Sequence, residues 1–215
     1  MHGLILAAEA ATKQESLDRL AGHPGLGELA DQTRTARVGR DQMSFGEFGH
    51  LTVVPLTPGL DLEVAGEITP ALTSSARFRE LLGQRLFELC GQFGLDNNET
   101  EAVLLGRGAQ ALASQLNLMN PVARVHADDL SQVEARNILL VPLFPEDGPL
   151  KEMGPVASAL EGTPRPFAVE ADGRTYVVDR PFLHDPGLAA VVADVVRYHQ
   201  AMKKRPSGRL RSAIA

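Results

Sequence analysis

The 215-residue chain has no tryptophan, two tyrosines and one cysteine, Cys90. A single cysteine closes no intrachain disulfide and excludes a cysteine-rich metal site, so a reducing, cytoplasmic setting is expected. No apolar run approaches the roughly 20 residues that a membrane-spanning helix needs. The apolar run near the amino terminus, Leu4-Ile5-Leu6, has no basic residue before it and soon reaches Glu9, which does not read as a secretory signal. An excess of positive charge is missing too. The formal net charge is −6, so no global field draws in nucleic acid or an anionic membrane. There is no G-x-S-x-G, no Walker loop and no cysteine–histidine pair with local context. The histidines, His2, His23, His50, His126, His184 and His199, show no paired-ligand spacing on a helix. His126 lies near Asp128 and Asp129 in sequence, which could orient its ring. No catalytic residue, metal or cofactor is therefore expected.

What is present is an internal repeat, which is the first thing to seek because it fixes architecture. Shifted by 87 positions, Ala36–Gly59 lies over Ala123–Glu146 without a gap, and ten of 24 positions are identical. Average residue usage would give roughly one or two. The shared residues include Arg37/Arg124, Asp41/Asp128, Ser44/Ser131, Glu47/Glu134 and the Val-Pro-Leu runs at 54–56 and 141–143. Each copy parses as a strand, a short helix capped by its Asp, and a buried β-branched strand.

Between the copies, Phe78, Leu81, Leu82, Leu86, Leu89 and Phe93 fall on one helical face. That helix begins near Ser74 or Ser75 and ends at Gly94. Phe87 lies on the opposite face, as a second buried side or as a partner contact. A second helix is expected from Asn98, with Glu101 at the capping-box position and a kink at Gly106-Arg107-Gly108, continuing to Leu118. Gly3–Ala8 is a strand or the start of a helix, since six residues carry no readable period. Phe167–Val178 predicts a hairpin with Asp172-Gly173 at its tip. Asp185-Pro186-Gly187 opens a last helix whose buried stripe runs from Leu188 to Met202. The end of the chain holds Lys203, Lys204, Arg205, Arg209 and Arg211 with no core-forming pattern, and reads as a disordered basic tail.

Several stretches resemble known families. Leu4–Ala8 is similar to the opening of sugar-nucleotide nucleotidyltransferases, but Glu9-Ala10-Ala11-Thr12-Lys13 stands where their glycine-rich phosphate turn would be. Leu139–Leu150 resembles the last strand and turn of roadblock-type GTPase-regulating adaptors. Phe167–Met202 resembles the end of type III secretion chaperones. Leu112–Leu118 resembles the first helix and turn of a helix-turn-helix, whose recognition helix would then be residues 121–133. None of these covers enough of the chain to carry a site across.

The expected fold is mixed α and β (α+β), in two related halves. The first half is 1–95, the second is 96–202, and a tail of 203–215 follows. The expected function is a non-enzymatic, cytoplasmic interaction or regulatory protein that self-associates. Its interaction candidates are Arg37, Asp41, Glu47, Phe87, Arg124, Asp128 and Glu134. One alternative is weak, non-specific phosphate binding by the basic tail. Another is an enzyme with a small-molecule site between the halves.

Overall fold

Apolar runs that are buried on both faces form the centre of parallel sheets, and two such runs organise this chain. The computed structural model describes residues 1–40, 49–62, 64, 66–119, 123–144, 148–160 and 163–204. The Gly3–Ala8 run lies in strand β1 (His2–Ala8), which helix α1 (Gln14–Ala21) follows. Strands β2 (Gln32–Arg37), β3 (His50–Pro55) and the short β4 (Glu67–Ile68) complete a parallel sheet in the order β2-β1-β3-β4. Helix α2 (Ala76–Phe93) leads out of it. Strand β5 (Thr100–Leu105), helix α3 (Ala109–Leu118), β6 (Arg124–Ala127) and β7 (Asn137–Pro142) start the second sheet. Short helices α4 (Gly148–Lys151) and α5 (Gly154–Leu160) precede the hairpin β8 (Phe167–Ala171) and β9 (Arg174–Val178). The order is β6-β5-β7-β9-β8, with only β8 antiparallel, and helix α6 (Leu188–Lys204) closes the described chain.

The mixed α and β class is as expected, and both sheets place their first strand between their second and third. Alternation along β1 sends Leu4, Leu6 and Ala8 to one core and Ile5 and Ala7 to the other. The larger core also takes Leu104, Leu139 and Val141 from the second sheet and the apolar stripes of α2, α3 and α6. Helix α2 follows its sequence pattern. Ser75 Oγ accepts the Phe78 N–H at 3.0 Å, and Gly94 ends the helix with φ +61°. Phe78 packs edge-on to Phe182 at 5.0 Å between ring centres. Arg85 of α2 grips the buried Asp179 carboxylate after β9 with two bonds, at 2.9 and 2.6 Å. The hairpin also forms as expected, with Asp172 and Gly173 both at positive φ.

Four expectations are corrected. The helix expected from Asn98 is a strand over its first part. Asn98 donates its N–H to Asp96 in a tight turn, and Glu101 caps no helix but accepts the Glu134 N–H at 2.9 Å. Thr100–Leu105 pairs on both edges, so its apolar run is two-sided burial rather than a helical face. The second repeat copy has no short helix, because residues 128–136 form turns and irregular backbone. Asp128 there has φ +51°, outside the extended region typical of an N-cap, and its carboxylate accepts the Gly106 N–H rather than a helix N–H. The helix-turn-helix fails as well, since the segment that would be its recognition helix contains strand β6. Lastly, α6 continues through Lys203 and Lys204, and Lys203 Nζ lies 2.6 Å from Glu67. Arg205, Arg209 and Arg211 lie outside the described residues.

The repeat is matched in one strand and displaced in the other. Leu56 donates to the Ala7 carbonyl and Leu143 to the Leu105 carbonyl, so β3 and β7 stand alike in their sheets. Arg37, however, sits opposite Ala8 at the carboxyl end of β1, whereas Arg124 sits opposite Glu101 near the amino end of β5. The two arginines that match in sequence do not match in space.

Candidate active site

In open parallel sheets the strands deliver side chains and helix amino termini to their carboxyl ends, where ligands bind. The register identifies what each sheet places there. Ala7 faces Pro55 and Leu105 faces Pro142, at matching points of β1–β3 and β5–β7. Two residues further on, the chain reaches Glu9 after β1 and Arg107 after β5. These equivalent positions meet. Arg107 Nε lies 3.2 Å from Glu9 Oε1, and Arg107 Nη1 donates to the Gly59 carbonyl at 3.0 Å. The Thr57 hydroxyl, just past β3, points to the same Glu9 oxygen at 3.4 Å. Glu9 is largely covered, with 17% of its side chain exposed, while Arg107 is half open at 50%.

Local sequence explains this close approach. Gly106 and Gly108 flank Arg107 at φ +112° and +86°, conformations that L side chains disfavour. A Cβ on Gly108 would lie 3.2 Å from Pro58 Cδ, so glycine lets the second-half turn rest on the first-half loop. The Gly106 N–H donates to Asp128 Oδ1 at 2.7 Å from the neighbouring strand end. Thr12, in the turn after Glu9, buries a hydroxyl with no partner among the described residues. Beside the pair lies a groove of about 360 Å³, lined by Thr57, Pro58, Gly59, Leu60, Ile68 and Ser74 among others. That volume is in the range of small-molecule sites.

The residues singled out from the sequence divide sharply. Asp128 and Arg37 stand at the carboxyl ends of their strands, and only Asp128 bonds to the turn that bears Arg107. Asp41 and Glu47 lie outside the described residues. Arg124 is at the opposite end of β6, Glu134 is exposed and gives only its backbone N–H to Glu101, and Phe87 is 60% exposed on α2. The histidines are engaged elsewhere. His2 and His50 begin β1 and β3, and His23 accepts the Gly25 N–H. His126 faces Glu101 at 3.3 Å. His184 meets Ser16 at 2.7 Å, and His199 faces Glu67 at 3.7 Å. Burial pushes the Cys90 thiol above its ordinary value, which leaves it less reactive.

Sequence reasoning missed Glu9, Thr57 and Arg107. The usable signal is the strand–Gly-x-Gly–helix pattern at 100–118, which the capping-box and helix spacing in sequence disguise as one kinked helix.

No protein-family model and no curated protein matches the chain. Solved structures do. A multi-domain protein of Deinococcus radiodurans, DR2241, described as structurally similar to chelatases, aligns with a TM-score of 0.61 at 15% identity. The alignment covers 91% of this chain and 55% of that one, so this chain spans about half the length of DR2241. CbiX, the terminal enzyme of siroheme biosynthesis in denitrifying bacteria, aligns at 0.60 with 15% identity over 92% of this chain and 99% of its own. The sirohydrochlorin chelatase SirB of Bacillus subtilis subspecies spizizenii, solved with cobalt, aligns at 0.57 with 14% identity over 97% of each chain. At such identities the likeness is one of fold. It corrects the expectation of a non-enzymatic regulatory adaptor, because the fold these comparisons return is that of chelatase enzymes.

Proposed function

We propose that this chain is a chelatase-type enzyme that inserts a divalent metal ion into a tetrapyrrole such as sirohydrochlorin, in the cleft where Glu9 meets Arg107. One observation carries the reading. Glu9 and Arg107, each just past the carboxyl end of a central strand (β1 and β5), meet at 3.2 Å. The chelatase-like fold over most of the chain supports it.

Metal insertion requires pyrrole N–H protons to leave the ring as the cation enters. The Glu9 carboxylate is an oxygen base and a hard ligand in one group, suited to take a proton and to meet a cation on its way in. Arg107 fixes that carboxylate and has further N–H donors for the acidic substituents of the ring. The Thr57 hydroxyl orients the same oxygen. The groove past Pro58 gives an apolar wall for a ring face. The metal ion is a substrate here. Among the described residues no group of three or more His, Cys, Asp or Glu gathers to hold one.

The test is direct. Purified protein is mixed anaerobically with sirohydrochlorin and Co²⁺, and loss of the metal-free ring's absorbance is followed. The reading expects insertion faster than in a protein-free control. A rate equal to that control, with folded protein present, contradicts it.

A further inference from the structure

Asp128 takes no part in the proposed chemistry, yet the Arg107 turn rests on it. Its backbone is fixed beside β5, because its own N–H bonds the Leu104 carbonyl at 2.9 Å. Its φ of +51° is uncommon for a residue with a side chain and aims the carboxylate across the strand ends. There Oδ1 accepts the Gly106 N–H at 2.7 Å, a short, charge-assisted bond. Besides this bond, the Ala109 N–H bonds the Gly106 carbonyl at 3.1 Å and Gly108 rests against Pro58. Gly106 and Gly108 are both at positive φ, and Gly108, as the N-cap of α3, offers no side-chain cap. Two adjacent glycines widen the conformations open to Arg107. Its neighbour Asp129 is no substitute, since its carboxylate is used by the Ser131 N–H at 2.8 Å and by Gln132. Those bonds, the Ser131 side chain first, hold the Asp129 carboxyl below its ordinary value.

We infer that Asp128 is a positioning residue: its bond to the Gly106 N–H sets the Gly106–Gly108 turn so that Arg107 reaches Glu9 and the Gly59 carbonyl. The catalytic part of this inference rests on the cleft being the active site. The positioning part does not. It is a statement about one bond and one guanidinium, and can be read without substrate.

Three proteins test it: wild type, Asp128→Ala and Asp128→Asn. Asparagine keeps an oxygen that accepts the same N–H, whereas alanine removes it. The first readout is amide hydrogen exchange at Gly106. The second is the NMR resonance of the Arg107 Nε–H, which Glu9 holds. The third is kcat/KM for cobalt insertion into sirohydrochlorin. Asp128→Ala should exchange the Gly106 amide about tenfold faster or more. It should also move or broaden the Arg107 Nε–H signal and lower kcat/KM by about tenfold. Asp128→Asn should stay within about threefold of wild type in all three. Unchanged exchange and an unchanged Arg107 signal in Asp128→Ala would overturn the inference. So would an Asp128→Asn as damaged as Asp128→Ala, because the accepted bond would then not be what matters. If the wild type inserts no metal, the chelatase reading fails and the first two readouts still decide the positioning. Should Asp128→Ala not fold, Asp128→Glu, with the carboxylate one methylene further out, is read in its place.

Discussion

Removing the Asp179 carboxylate should be among the most damaging single changes outside the cleft. Asp179 is 1% exposed and accepts three bonds: Arg85 Nε at 2.9 Å, Arg85 Nη2 at 2.6 Å and its neighbour Arg180 N–H at 2.8 Å. Arg85 is itself 8% exposed, and the Asp179 bond, the largest influence on it, raises its pKa. Asp179→Ala would leave a buried guanidinium facing a cavity. Breaking such a pair costs about 3–5 kcal/mol. The lower end applies here, because Glu88 stays 3.4 Å from Arg85 and is half exposed to water. A loss of about 3 kcal/mol is a large part of a typical total of about 5–15 kcal/mol. With a urea m-value of about 2 kcal/mol/M, the midpoint should fall by roughly 1.5 M. The double variant Arg85→Met/Asp179→Leu should recover most of that loss, because it removes both charges and fills the space. Urea denaturation followed by circular dichroism measures all three proteins. A loss under about 1 kcal/mol in Asp179→Ala, or a double variant no more stable than Asp179→Ala, would refute the reasoning.

Two further outcomes are expected. Gly108→Ala combines a φ of +86° with a Cβ 3.2 Å from Pro58, so it should destabilise more than Gly94→Ala, where φ is +61° and the space is open. The latter should cost about 1 kcal/mol, and thermal melts of the two compare them. The Lys203 hydrogen bond, ahead of opposing burial, holds the Glu67 carboxyl below its ordinary 4.5. Its contribution is present above that ordinary value and is lost as pH falls through the lowered one. Glu67 is 41% exposed, so the gain is screened to below about 1 kcal/mol, and Lys203→Ala should flatten the acid limb of stability against pH.

What could be read from sequence follows from how far each signal reaches. The α2 stripe repeats over five turns, and the Asp172-Gly173 turn is local chemistry, so both stood in the sequence alone. Strand β5 did not, because Thr100–Leu105 is too short to show a period, and Asn98 with Glu101 imitates a helix start. The repeat located β3 and β7 correctly but misaligned β2 with β6. Twelve residues join β2 to β3 and nine join β6 to β7, a difference that an ungapped match cannot absorb. The site was the least legible part. Glu9 and Arg107 share no local motif, and only the strand registers reveal them as equivalent. The polar residues shared by sequence drew attention to Asp128, though as a helix cap rather than as the support of a turn.

The most direct test of the central claim is the kcat of Glu9→Gln for cobalt insertion, with stability measured alongside. Glutamine keeps the shape and the Thr57 and Arg107 neighbours but cannot serve as the base. If Glu9 takes the pyrrole proton, kcat should drop by about 100-fold or more while the fold stays intact. A Glu9→Gln protein that inserts cobalt at the wild-type rate would contradict the account.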